Sequence, residues 1–282
     1  MSSSTTPTHR PVSLDELKRA WSAVEAGQFR AGNRSGYSAP VDREAAGTTE
    51  WTPTAGERTV VILGCGGAVG ASTVAVAAGL AAPHPARVVE CCSVSASGLA
   101  AASTAELGLD PSGWSLGKRD HLRIERASEV LTEVEDVPAP VEAEHENQLT
   151  ILDVGWEVGA LMNSTSWLGS AVRTADRLIV VTTATVPGLR RLEGALEILA
   201  PHRDLERVVV AVRGPRRKKW PRGVDHSAGP RVRRLLAADA VVEIPEDRSL
   251  ATTGLDSHPV PAPLIATARG LLDPAQLPEP TN

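Results

Sequence analysis

From Arg58 onward, short runs of apolar, β-branched residues alternate with stretches of helical periodicity. Residues 59–63 (TVVIL), 87–92 (RVVECC), 149–154 (LTILDV), 177–182 (RLIVVT), 207–212 (RVVVAV) and 240–244 (AVVEI) read as strands. They are apolar at nearly every position, the pattern of strands covered by helices on both faces of a parallel sheet. Residues 72–82 are apolar all round, as in a helix buried within a larger core, and Pro83 and Pro85 end it. Val158, Leu161, Met162, Leu168 and Val172 mark one amphipathic helix, and Leu189, Leu192, Leu196 and Leu199 line the next. Val232, Leu235 and Leu236 suggest a short helix, and Leu264, Ala268 and Leu271 a last one. Residues 119–147 carry nine acidic and three basic side chains, and Ala127, Val130, Leu131 and Val134 predict a helix before Pro138 and Pro140. The alternation predicts an α/β fold: a doubly wound, mainly parallel sheet with helices on both faces and right-handed crossovers.

Residues 1–55 have another texture, rich in Ser, Thr, Pro, Gly and charge, and are expected to form a flexible arm. Within it, Ser13 and Glu16 have capping-box spacing, and Leu14, Leu17, Trp21 and Val24 share one helical face. A short amphipathic helix over 13–29 follows, either packed on its own domain or docking an unknown protein partner. The expected organisation is this arm, a domain over 56–273 and a tail over 274–282.

The chain has 282 residues and a net charge of −5, so only local basic patches are available for nucleic acid. No stretch reaches the length of apolar sequence a transmembrane helix needs, and Met1 to Arg10 lacks the apolar core of a secretory signal. Three cysteines, Cys65, Cys91 and Cys92, without a C-x-x-C pair argue against a disulfide scaffold or a zinc site and fit a cytoplasmic protein.

The first strand runs into Gly64-Cys65-Gly66-Gly67-Ala68-Val69-Gly70-Ala71-Ser72-Thr73 and then directly into a helix. A glycine-rich loop between a strand and a helix lets successive N–H groups face one anion, and the helix end adds partial positive charge. The loop therefore predicts phosphate binding through Gly66, Gly67, Ala68, Val69, Gly70, Ala71, Ser72 and Thr73, with a hydroxyl of Ser72 or Thr73 toward Mg²⁺. Ala71 stands where a phosphate loop normally carries lysine. A dinucleotide reading also exists, since Gly64-Cys65-Gly66 opens G-x-G and Glu90 suits a ribose, but Val69 occupies the third glycine position.

These landmarks, in order over about 57–272, resemble the ParA/MinD-like, deviant-Walker P-loop ATPases. The family's K-G-G-x-G-K-T-T corresponds to Gly66 through Thr73, with Gly66 and Ala71 in place of both lysines. Ile151-Leu152-Asp153-Val154-Gly155 is similar to the family's apolar D-x-G strand, and Ala175-Asp176-Arg177-Leu178 to the A-D-x-hydrophobic strand after it. Ile244-Pro245-Glu246-Asp247 and Gly254 to Val260 resemble the segment near the base. The resemblance implies ATP or ADP with Mg²⁺, Asp153 and Ser72 at the metal, Pro245 and Asp247 near the base, and a homodimer. It points to a nucleotide-binding or pseudo-ATPase accessory protein in DNA partition, positioning or plasmid transfer that acts through partner binding.

Arg213, Arg216, Arg217, Lys218, Lys219 and Arg222 follow the fifth apolar strand on the ligand side of the sheet. They are candidates to contact nucleotide phosphates, which would make the chain an active ATPase with non-standard cations, or to contact DNA with Trp220 stacking on a base. Lys118 and Arg119 lie in a stretch that reads as a loop able to fold over the site. Trp114, Trp156 and Trp167 read as plugs in a core with few aromatics. An interaction protein that keeps only the fold is the third reading.

Overall fold

The computed structural model describes residues 50–93 and 95–273. The arm helix over 13–29 and the tail over 274–282 lie outside the described residues. Among the described residues, nine strands form one sheet: β1 (Arg58–Gly64), β2 (Ala86–Cys92), β3 (Ala105–Leu109), β4 (Trp114–Arg119), β5 (Leu122–Ala127), β6 (Leu149–Gly155), β7 (Arg177–Thr183), β8 (Val208–Arg213) and β9 (Val241–Ile244). Their order across the sheet is β3-β4-β5-β2-β6-β1-β7-β8-β9. All pairs from β5 to β9 are parallel, and β3-β4 and β4-β5 are antiparallel.

The sheet is mainly parallel because its central strands are apolar on both faces and helices cover both. Val60 and Ile62 face a layer made by α1 (Ala71–Ala81) and α8 (Ala262–Leu272). Val61 and Leu63, one residue out of phase, face α2 (Val158–Asn163), α3 (Trp167–Thr174), α4 (Val186–Leu199), α5 (Arg222–His226) and α6 (Pro230–Ala237). The alternation of side chains along each strand divides the core into these two halves.

Three sequence expectations are corrected. Residues 105–127 form an antiparallel meander, so Lys118 and Arg119 lie on β4 and not on a loop over the site. Arg119 is buried and donates to the carbonyls of Ala102 (2.6 Å), His258 (2.9 Å) and Asp256. The expected helix over 127–134 is an irregular segment with one 3₁₀ turn, Val134–Asp136, whose Leu131, Val134 and Val137 plug the core. The single helix expected over 158–172 is two, α2 and α3, because Ser164 caps the first and Ser166 opens the second by accepting from the Gly169 N–H.

Trp114 and Trp167 are buried, and their indole N–H groups donate to the carbonyls of Ala139 (3.1 Å) and Val137 (2.8 Å). Trp51 meets Trp167 edge-on with ring centres 5.4 Å apart. A polar cluster lies at the other end of the strands. Arg87, 1% exposed, donates to Thr150 Oγ1 (2.8 Å) and the Val141 carbonyl (2.7 Å). It pairs with Glu57 (2.9 Å) and Glu125 (3.3 Å), which are buried as well.

Candidate functional site

The glycine loop leaves β1 at the carboxyl edge of the sheet. The Cys65 N–H still donates to the Val181 carbonyl (2.9 Å), so the loop departs from a fixed point. The chain then curls through left-handed conformations at Ala68 (φ 59°) and Gly70 (φ 98°). Gly70 caps α1 with no side-chain hydrogen bond, and the first turn of α1 holds no acidic residue. The end of the helix is therefore open to an anion.

Residues 64–73 form one wall of a cavity of about 760 Å³. Residues 95–98 and 153–158 form two further walls, with Arg191, Arg213, Leu250 and Leu255 among the others. Residues 95–98 approach closely because Gly98 has no side chain: a Cβ there would lie 2.6 Å from Ser72 Oγ.

Asp153, near the end of β6, is 1% exposed and reaches this cavity beside Ser72. Neither carboxylate oxygen has a formed hydrogen bond among the described residues. Burial pushes its carboxyl up to about 7; the nearby Ser72 hydroxyl and Cys92 thiol oppose that, and Glu90 adds to it. Glu90 is the cross-strand partner of Asp153 in the β2–β6 register. Its carboxyl is also raised by burial, and it accepts from the Ser97 hydroxyl. A buried carboxylate beside a hydroxyl at the mouth of a glycine-rich loop has the chemistry to share a divalent cation with an incoming anion. No group of three or more His, Cys, Asp or Glu that could hold a metal alone occurs among the described residues.

Of the basic run, Arg213 alone reaches this cavity. Its Nη2 donates to the Ala68 carbonyl (2.9 Å), and a Cβ on Gly70 would meet its Cδ at 3.3 Å. Arg216, Arg217, Lys218 and Arg222 line a second cavity of about 760 Å³ with Asp225, His226 and Glu243. Lys219 is exposed in the 3₁₀ turn Arg217–Lys219 and lines neither cavity. Trp220, expected to stack on a base, lines the second cavity, is 9% exposed and donates its indole N–H to the Pro215 carbonyl (2.8 Å).

Pro245 and Asp247 do not line the main cavity. Asp247 caps α7 (Arg248–Thr253) by accepting from the Leu250 N–H (2.9 Å), and Leu250 and Ala251 of α7 do line it. Trp156, expected as a core plug, lines the cavity too and is half-buried. Sequence reasoning missed Arg191. It lies on α4, and a Cβ on Gly66 would sit 3.4 Å from its Cδ and 3.5 Å from its Nη1.

Burial pushes the Cys65 thiol up to about 12, against a hydrogen bond with Thr182, and raises Cys91 and Cys92 well above the usual thiol range. Thiolate is the reactive form. In the folded protein at pH 7.5 these three thiols are therefore expected to resist maleimide, and in denaturant all three to react. Intact-mass measurement checks this; rapid labelling of Cys65 in the native protein would contradict it.

The fold and this loop define the class only as an α/β domain, with a glycine-rich loop between a central strand and a helix at the carboxyl edge of a mainly parallel sheet. Among solved structures, a ParA family ATPase from Chlorobium tepidum TLS is similar over 76% of this chain and 98% of its own, at 12% identity and a TM-score of 0.50. The MinD cell division protein of Aquifex aeolicus aligns over 76% and 96% at 17% identity and a TM-score of 0.48. A plasmid partition protein of Borrelia burgdorferi B31 bound to AMPPNP aligns over 78% and 97% at 12% identity and a TM-score of 0.48. No protein-family model matches the sequence, and no curated protein matches it.

Proposed function

We propose that this chain binds a nucleoside polyphosphate, ATP or ADP, with Mg²⁺ at the glycine loop. On this reading it is a ParA/MinD-like accessory factor in partition, positioning or DNA transfer, whose output is partner binding and not turnover. One observation carries the reading: the buried Asp153 carboxylate beside the Ser72 hydroxyl at the open end of α1, facing the cavity. Backbone N–H groups of the loop would hold phosphate oxygens. Ser72 and Asp153 would hold Mg²⁺, which neutralises phosphate charge when bound. Ala71 offers no cation from the usual position, and each charged hydrogen bond lost there is worth about 1.5–3 kcal/mol. That deficit weakens binding by roughly tenfold to a hundredfold and weighs against turnover.

A second reading, an active ATPase with non-standard cations, draws support from Arg213 alone within the 213–222 run. The remaining basic residues suit DNA phosphates at their own cleft, away from the glycine loop. Cytoplasmic residence, a homodimer and a partner docked through residues 13–29 belong to the same proposal. No described helix is long and apolar enough to cross a membrane.

Calorimetric titration with ATP, ADP and GTP, each with and without Mg²⁺, tests the binding. Micromolar, Mg²⁺-dependent affinity without phosphate release is the expected result. Steady phosphate release would favour the second reading. No heat at millimolar nucleotide would leave an interaction protein that keeps only the fold.

A further inference from the structure

We infer that Arg191 and Arg213 replace the two lysines missing from the glycine loop and clamp the phosphate chain of the bound nucleotide. This rests on the nucleotide-binding reading above and names the residues that make it work. Arg213 ends β8 at the carboxyl edge of the sheet, and its guanidinium crosses the loop to the Ala68 carbonyl. Arg191 reaches the same cavity from the second turn of α4. Together they cover Gly66 and Gly70, and Gly70 adjoins Ala71.

The geometry sets Arg191 beside one of the two loop positions that lack lysine. A Cβ on Gly66 would lie 3.4 Å from Arg191 Cδ and 3.5 Å from its Nη1, so the arginine lies directly against the loop. Among the described residues Arg191 makes no hydrogen bond or ion pair, whereas Arg203 and Arg177 each donate to backbone carbonyls. An unengaged guanidinium on the wall of a cavity that also presents a helix N-terminus is placed to fork onto phosphate oxygens. Asp153 is an independent mark of the ligand. A buried carboxylate facing the same cavity calls for a cation between it and the phosphates.

The test measures affinity of the full chain for Mg²⁺-tripolyphosphate and for Mg²⁺-ATP. The wild-type protein is expected to bind both. Arg191→Ala is expected to weaken both by tenfold or more, and Arg190→Ala, one residue away and outside the cavity, to weaken neither. Arg213 also holds the loop carbonyl, so Arg213→Lys, with its thermal unfolding, separates charge geometry from loop support. An intermediate loss of affinity at unchanged unfolding temperature is expected. Adding Ala71→Lys to Arg191→Ala is expected to recover part of the binding, which a merely structural role for Arg191 would not produce. Wild-type affinity for tripolyphosphate in both arginine variants would overturn the inference. Arg191-dependent binding of tripolyphosphate with no gain from adenosine would overturn the nucleotide reading and leave the clamp standing. Failure of the wild-type protein to bind either probe would overturn both.

Discussion

Replacing Arg87 by methionine is expected to destabilise the protein by about 3–5 kcal/mol, the usual cost of removing one partner from a buried ion pair. Arg87 joins Glu57 and Glu125, both buried, and donates to Thr150 on β6 and to the Val141 carbonyl. Without the guanidinium, Glu57 and Glu125 keep their burial and lose their charge partner. Arg123, 3.1 Å from Glu125, compensates in part. The pH dependence follows from Glu125, whose carboxyl is raised by burial while Arg87 and Arg123 pull it down. Losing Arg87 raises it further. An acid raised in the folded state stabilises the fold below its unfolded value, and that contribution is lost as pH rises through its folded value. The variant should therefore suffer less near pH 5 than near pH 8. Chemical denaturation at both pH values checks this. Adding Glu57→Gln and Glu125→Gln is expected to recover most of the loss, and an equal deficit at both pH values would sink the account.

The second large effect has the opposite sign. In metal-free, nucleotide-free protein, Asp153→Asn is expected to stabilise the fold at pH 8 and to change little near pH 4. The wild-type carboxyl ionises at about 7 in the folded protein, because it is fully buried, and at about 4 when unfolded. Between those values the unfolded chain loses its proton first, and the folded state falls behind. The gap reaches on the order of 4 kcal/mol once both forms are ionised. Asparagine carries no charge and escapes it. Glu90, raised in the same way, leaves wild-type and variant protein a shared residual slope. A stability difference that does not change from pH 4 to pH 8 would show that Asp153 is solvated after all. With Mg²⁺ and ATP present the ranking is expected to narrow or reverse, since only the carboxylate can favour the cation.

The central strands were legible because each is apolar on both faces, a pattern that little else produces. Residues 105–127 were not. All five residues of β3 are exposed, Leu107 and Leu109 among them, so no run of buried residues announces the strand. Leu131 and Val134 were misread because three-residue spacing also arises when an irregular segment dips twice into a core. At the site, the loop and Asp153 stood out because strand, turn and helix are adjacent in sequence. Arg213 was within reach, as the last residue of an apolar strand. Arg191 was not, since its neighbourhood with Gly66 depends on how α4 crosses the sheet. The available signal was a basic residue one turn into the helix after β7.

The position of β1 also sets an order of events during synthesis. It lies between β6 and β7, pairing Val60 with Ile151 on one side and Arg177 on the other. The strand that carries the glycine loop is thus made first and gains its second neighbour only when β7 is made. At about 5–20 residues per second, translation takes roughly 6–24 s to pass from the end of β1 to the end of β7. Until β6 is made this apolar segment has no lateral partner, until β7 it is paired on one side alone, and the site cannot exist on the nascent chain during that interval. The meander of β3, β4 and β5, built from near neighbours, is able to form while the centre of the sheet still waits.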